Sequence, residues 1–188
     1  MKILLPAIAL VFYGCQEPAI QPTASSAQTS PAPKTEEPVP VVQQTKDPMD
    51  KVERIHQLRE LATRKITFGA HILTVWIMDD ASKRQEGMMW LVDKDVKDTE
   101  GMLFVFQKAE PRSFWMQNCP LGLDITYLDP NGKVLNVGVG KPYDESGVPS
   151  KGSAQYVLEL KTGMAKKFGI QPGSVLKLPK DVKSQDGE

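Results

Sequence analysis

Aromatic residues are missing from the 188-residue chain between Cys15 and Ile66, and glycine is missing between Cys15 and Phe68. Aromatic side chains supply much of the buried area of a core, so that stretch cannot build one. Eleven of the 13 aromatics lie between Phe68 and Phe168, which reduces the folding unit to about 115 residues. Cysteine is scarce as well. Cys15 and Cys119 stand alone and far apart, which excludes a zinc ribbon or a disulfide framework. Charge of one sign is not in excess: Lys+Arg 23 meet Asp+Glu 23. Residues 65–180 by themselves carry Lys+Arg 15 against Asp+Glu 13. No nucleic-acid partner is therefore expected, because binding a phosphate backbone requires a basic face.

The longest uncharged run, Ile3 to Gly14, follows the single charge of Lys2 and ends at Cys15. It is too short to span a bilayer, which takes a helix of about 20 apolar residues, and it fits the apolar region of a signal peptide over 1–14. Phe12-Tyr13-Gly14-Cys15 resembles the bacterial lipobox, in which the chain is cut before a cysteine that carries a diacylglyceryl group. That resemblance implies lipidation of Cys15 and a membrane-anchored, extracytoplasmic lipoprotein. Gln16 rather than Asp after the cysteine favours the outer membrane where one exists.

Residues 15–47 are rich in Pro, Ser, Thr and Gln and have nothing to bury, so a disordered tether is expected. Asp47-Pro48 reads as a helix start, and Val52, Ile55, Leu58 and Leu61 form an apolar stripe, predicting a short amphipathic helix over 48–64. Residues 65–180 are expected to fold as a compact, mainly β sandwich or barrel with two short helices, and 181–188 as a disordered tail. The helices are Asp79–Met89, capped at its start and stopped near Gly87, and Met164–Phe168. Strands are expected at His71–Met78, Met102–Phe106, Ser113–Met116, Ile125–Leu128, Val134–Val139, Tyr156–Leu160 and Ser174–Leu178. Asp129-Pro130-Asn131-Gly132 marks a hairpin turn.

Several blocks then appear in order: Arg84-x-x-Gly87-Met88-Met89, Gly101-Met102-Leu103-Phe104-Val105-Phe106, Ser113-Phe114-Trp115-Met116-Gln117-Asn118 and Pro120-Leu121-x-Leu123-Asp124-Ile125. Ala154-x-Tyr156-Val157-Leu158-Glu159-Leu160 and Gly169-Ile170-x-x-Gly173 complete the set. Together they resemble the family called domain of unknown function 192. The resemblance covers about Ile66 to Leu178 and implies a compact mainly β domain, often secreted or lipid-anchored, with no established activity. The chain departs from the family pattern at Cys119, Val148 and Ser174, where Thr, Tyr and Asp are usual.

Three chemistries follow from the residues. Asp124, a lone carboxylate between Leu123 and Ile125, is expensive to bury unless paired. It either pairs with Arg84 or backbone N–H groups, or anchors a ligand with Trp115 as apolar wall and Asn118 as hydrogen-bond partner. The candidate binding set is Arg84, Trp115, Asn118, Asp124, Pro142 and Ser150, the last two bounding an exposed loop. This set predicts a small-ligand or partner-binding accessory module of the cell envelope. The alternative is a metal-independent envelope enzyme with Asp124 as general acid or base. A third reading takes Met78, Met88, Met89, Met102 and Met116 with His71 as a Cu(I) site, although methionine also simply fills cores. No cofactor is expected, since Gly138-Val139-Gly140 is only a fragment of a dinucleotide fingerprint.

Overall fold

A computed structural model describes residue 51 and residues 53–186. The expected signal at 1–14, the tether at 15–47 and the start of the 48–64 helix lie outside the described residues. Six strands and two short helices follow one another: β1 (Thr63–Phe68), β2 (His71–Met78), α1 (Ala81–Glu86), β3 (Glu100–Phe114), β4 (Leu123–Leu128), β5 (Val134–Gly140), β6 (Val148–Lys161) and α2 (Met164–Phe168). The expected mainly β architecture with two short helices is borne out.

The strands form one mixed sheet in the order β1-β2-β3-β6-β4-β5. Only β2 and β3 run parallel. A parallel pair needs a crossover, and residues 79–99, including α1 and a 3-10 turn at Asp93–Asp95, provide it. Asp80 caps α1 by accepting from the Lys83 N–H at 2.8 Å, and Gly87 ends it. Between β4 and β5, Asp129 Oδ1 accepts from the N–H groups of Asn131 and Lys133, so the hairpin turn forms where expected.

Alternation along the strands divides the apolar residues into two clusters, one on each face of the sheet. One holds Trp76, Met78, Met102, Phe104, Ile125, Tyr127 and Val157, covered by Met88, Leu91 and Val96 of the crossover. The other holds Leu73, Val75, Ile77, Leu103, Val105, Leu158 and Leu160, covered by Ala165, Phe168 and Ile170 at α2. Single bridges Thr67↔Lys177 and Lys133↔Val175 tie one segment to both edges of the sheet. The expected strand Ser174–Leu178 is reduced to these two bridges.

Four expectations need correction. The helix over 48–64 does not form among the described residues: only a 3-10 turn at Leu58–Glu60 appears, and β1 begins at Thr63. Tertiary hydrogen bonds replace helical ones. Glu86 accepts from the backbone N–H groups of Ile55 and His56, and Arg54, outside the expected apolar stripe, is buried and donates to the carbonyls of Gly87 and Met89. Ile55, assigned to the apolar stripe, is exposed. Second, residues 181–186 of the expected disordered tail dock: the Gln185 N–H donates to the Asp79 carbonyl, and Val182 is buried. Third, Met102–Phe106 and Ser113–Phe114 belong to one 15-residue strand, whose register shifts at 105–113 let it bend instead of breaking. Fourth, β6 begins at Val148, so the expected loop ends sooner.

Candidate functional site

Register places the two carboxylates of the strand interior on opposite faces. Ile125 pairs with Glu159, and Asp124 pairs with Leu160. Asp124 shares its face with the cluster under α2, and Glu159 shares its face with the cluster under the crossover. Asp124 is 5% exposed, and its Oδ2 accepts from the Ala165 N–H at 2.8 Å, pinning the first turn of α2 to β4. Of the two structural partners expected for Asp124, the backbone N–H is the one it meets, and Arg84 is not. The Arg84 guanidinium instead binds Asp186, with Nη2 at 2.6 and 2.8 Å from the two carboxylate oxygens.

On the other face, Glu159 is 4% exposed, and its Oε2 is the one buried carboxylate oxygen without a hydrogen-bond partner among the described residues. Burial pushes its carboxyl up to about 8 from an ordinary 4.5, so at neutral pH the protonated form, a hydrogen-bond donor, prevails. Glu159 lines an inner cavity of about 40 Å³ with Arg84, Met88, Phe114, Trp115 and Cys119. That volume admits a water-sized or hydroxyl-sized group, for which about 10–15 Å³ suffices. Gly87 is required here: with φ of +47°, a Cβ would stand 3.1 Å from Phe104 Cζ and 3.8 Å from Glu159 Oε2.

Arg84, Gln85, Phe114 and Trp115 also line an outer recess of about 270 Å³, with Ala81, Phe106 and Ser113. The two concavities share a wall of four side chains, making a cleft between α1 and the end of β3. Phe114 stacks edge-on against Phe104 and Tyr127, which fixes this wall. Trp115 is exposed at its edge.

Backbone strain collects beside the same cleft. The non-glycine residues with left-handed backbone among those described are Trp90, Asn118 and Tyr143, at φ of 66°, 53° and 60°. All three meet one loop: the Trp90 N–H donates to the Asn118 carbonyl and the Tyr143 N–H to the Cys119 carbonyl. Such conformations cost on the order of 1–3 kcal/mol each and cluster at functional sites.

The structure thus brings Arg84 and Trp115 together, with Asn118 on the adjoining loop. Asp124 lies across the sheet, which removes it from that set. Pro142 is exposed on the loop that packs against residues 116–119, and Ser150 sits on β6, accepting from the Arg112 N–H. Glu159 was missed in the candidate set, although its signal was the one used for Asp124: a single carboxylate within an apolar strand.

Cys119 is buried, and burial pushes its thiol up to about 12, leaving it un-ionised and unreactive. Met78, Met88, Met102 and Met116 join one core cluster, whereas His71 is exposed beside Phe168 on the other face. Met116 Sδ packs on Gly140, where a Cβ would come within 2.4 Å of it. These thioethers fill space.

A larger concavity, about 460 Å³, lies on the α2 face between Val137, Val139, Lys166 and Pro172, with Asp124 among its lining residues. Its walls are mainly apolar, and its one carboxylate is already committed to the Ala165 N–H.

Fold and cleft define a compact mainly β domain whose concave site is walled by aromatics and closed by an unsatisfied acid. The chain belongs to the family of domain of unknown function 192, described as "Uncharacterized ACR", whose profile matches residues 63–178. Two solved structures are similar. One is a candidate transcription regulator from Sinorhizobium meliloti 1021, with 30% identity over 62% of this chain and 94% of that one, at a TM-score of 0.57. The other is a protein of unknown function from Novosphingobium aromaticivorans DSM 12444, with 28% identity over 66% of this chain and 91% of that one, at a TM-score of 0.60. No curated protein matches.

Proposed function

We propose that this domain is a ligand-binding accessory module, tethered in the cell envelope by a lipid on Cys15, that takes a small ligand in the cleft of Arg84, Trp115 and Glu159. The observation that carries this reading is the buried Glu159 Oε2, which has no hydrogen-bond partner among the described residues and belongs to a side chain that lines the inner cavity. A native interior satisfies its polar groups, so an orphan acid at the base of an aromatic-walled cleft supports a role toward an incoming group. The protonated carboxyl would donate to a ligand oxygen at the inner end, while Trp115 would cover an apolar surface at the mouth.

The larger α2-face groove fits this role less well: none of the described residues lining it leaves a buried polar atom without a partner, and the unpartnered Thr126 Oγ1 of the same face is not among its walls. Catalysis by Asp124 is also disfavoured, since that carboxylate is buried and holds α2. The balance of 15 basic and 13 acidic residues over 65–180 argues against carrying the regulator role of the Sinorhizobium relative to a DNA-binding function here.

A thermal-shift screen of small metabolites and glycan fragments on the full chain tests the site, because a ligand that binds the native state raises Tm. Hits should stabilise the wild type and lose their effect in Trp115→Ala and Glu159→Gln. Hits that survive both substitutions would move the site elsewhere. The anchor is tested separately: Cys15→Ser should abolish labelling by a radioactive fatty acid in cells, and persistent labelling refutes it.

A further inference from the structure

Arg84 is nearly buried, with its side chain 11% exposed, and a cation in that position requires compensation. Its Nη1 donates to the Val105 carbonyl at 3.0 Å, and its guanidinium lies over the Phe106 ring at 4.9 Å. The Arg112 guanidinium also contacts that ring, at 3.4 Å, so two cations meet one aromatic ring that lines the outer recess. Arg112 is directed elsewhere, donating to the carbonyls of Ala154 and Lys108. The carboxylate that answers Arg84 is that of Asp186, which the guanidinium holds below the usual carboxylate range.

Asp186 lies eight residues beyond the end of the family match at 178. Val182 anchors the segment in the core, and beyond it residues 184–186 are tied by short polar contacts. The Gln185 N–H and Nε2 donate to the Asp79 carbonyl and Oδ2 at 2.7 and 2.6 Å, and Ser184 Oγ bonds Asp186 Oδ2 at 2.7 Å. Asp186 itself keeps 30% of its side chain exposed. A carboxylate from outside the matched region therefore holds the guanidinium of Arg84, a side chain that lines both concavities of the cleft.

We infer that Arg84 is the anion subsite of this cleft, selective for a carboxylate-bearing ligand, and that Ser184–Asp186 is an internal occupant which such a ligand displaces. This rests on reading the cleft as a binding site. The planar guanidinium suits a carboxylate, and the aromatic surface of Phe106 and Trp115 suits an apolar body next to it. Competition by the tail lowers the apparent affinity by the fraction of molecules in which the tail is released.

The test titrates the blocked tripeptide N-acetyl-Ser-Gln-Asp-amide into full-length chain and follows the Arg84 Nε–H and Trp115 Nε1–H resonances by NMR. In Asp186→Asn, the peptide should saturate both shifts at a concentration at least about tenfold lower than in wild type. Adding Arg84→Gln to Asp186→Asn should abolish the response while the remaining spectrum stays folded. Equal titration of wild type and Asp186→Asn, or no saturation in Asp186→Asn, overturns the proposal. Inorganic phosphate is the second probe, and a gain for phosphate without one for the peptide overturns the carboxylate assignment. The two readings fail differently. If the cleft binds but the subsite is wrong, screen hits still perturb Trp115 with affinities indifferent to Asp186→Asn. If the cleft does not bind, no ligand perturbs Trp115 in any variant.

Discussion

Asp124 and Glu159 sit on neighbouring strands, each between two aliphatic residues, each with under a tenth of its surface exposed. A shift of one register position separates them onto opposite faces, and there their circumstances diverge. Asp124 meets the start of α2, where the Ala165 N–H satisfies it; Glu159 lines a cavity below the crossover, and its Oε2 has no partner among the described residues. Glu86 is a third case, buried but held by two backbone N–H groups and the Arg54 guanidinium at 3.2 Å. Burial alone therefore does not mark a functional acid. What distinguishes one is the absence of a partner, because an unsatisfied buried group costs about 1–3 kcal/mol and some other demand must retain it.

This contrast can be broken at each carboxylate. The largest effect is expected at the most completely paired one: Arg54→Ala removes the cation from buried Glu86 and should lower unfolding free energy by roughly 3–5 kcal/mol in urea denaturation. A loss under 1 kcal/mol would mean that the backbone N–H groups suffice. Glu159 should control a pH dependence of a few kcal/mol. Its folded-state carboxyl stands near 8 against an ordinary 4.5, so its protonated form is fully accommodated below about pH 4.5, and stability should fall as pH rises toward 8. Glu159→Gln should remove that slope and match or exceed wild-type stability at pH 8. A slope that persists in the variant would assign it to other groups.

A smaller loss, about 1–3 kcal/mol, is expected for Asp124→Ala, with faster hydrogen exchange at the Ala165 amide and little change at Trp115. Loss of cleft ligands in that variant would reconnect the two faces. The least effect belongs to Cys119: in a Cys15→Ser chain its thiol should resist labelling at pH 8 until the protein is unfolded, since burial holds it up to about 12.

Much of the fold was legible because its signals are local. The Asp80 cap, the Asp129–Gly132 turn and the apolar alternation in β2, β4 and β6 each appear within a few residues. The 48–64 helix was misread because its decisive contacts are distant: Glu86 captures the N–H groups of Ile55 and His56 from some 30 residues away. The same holds for the end of the chain, whose polar composition gives no sign that Asp186 finds Arg84 across 102 residues. For the site, Arg84 and Trp115 were found through motif blocks. Asp124 was chosen over Glu159 because sequence shows that a carboxylate is flanked by aliphatics, but not which face it takes or what awaits it there.

The central claim is that Glu159, and not Asp124, is the acid retained for a ligand. Its most direct measurement is a carbon-detected NMR titration of the folded chain that follows the Glu159 side-chain carboxyl, assigned by its loss in Glu159→Gln. The account predicts a midpoint near 8; a midpoint in the ordinary glutamate range, near 4.5, would contradict it.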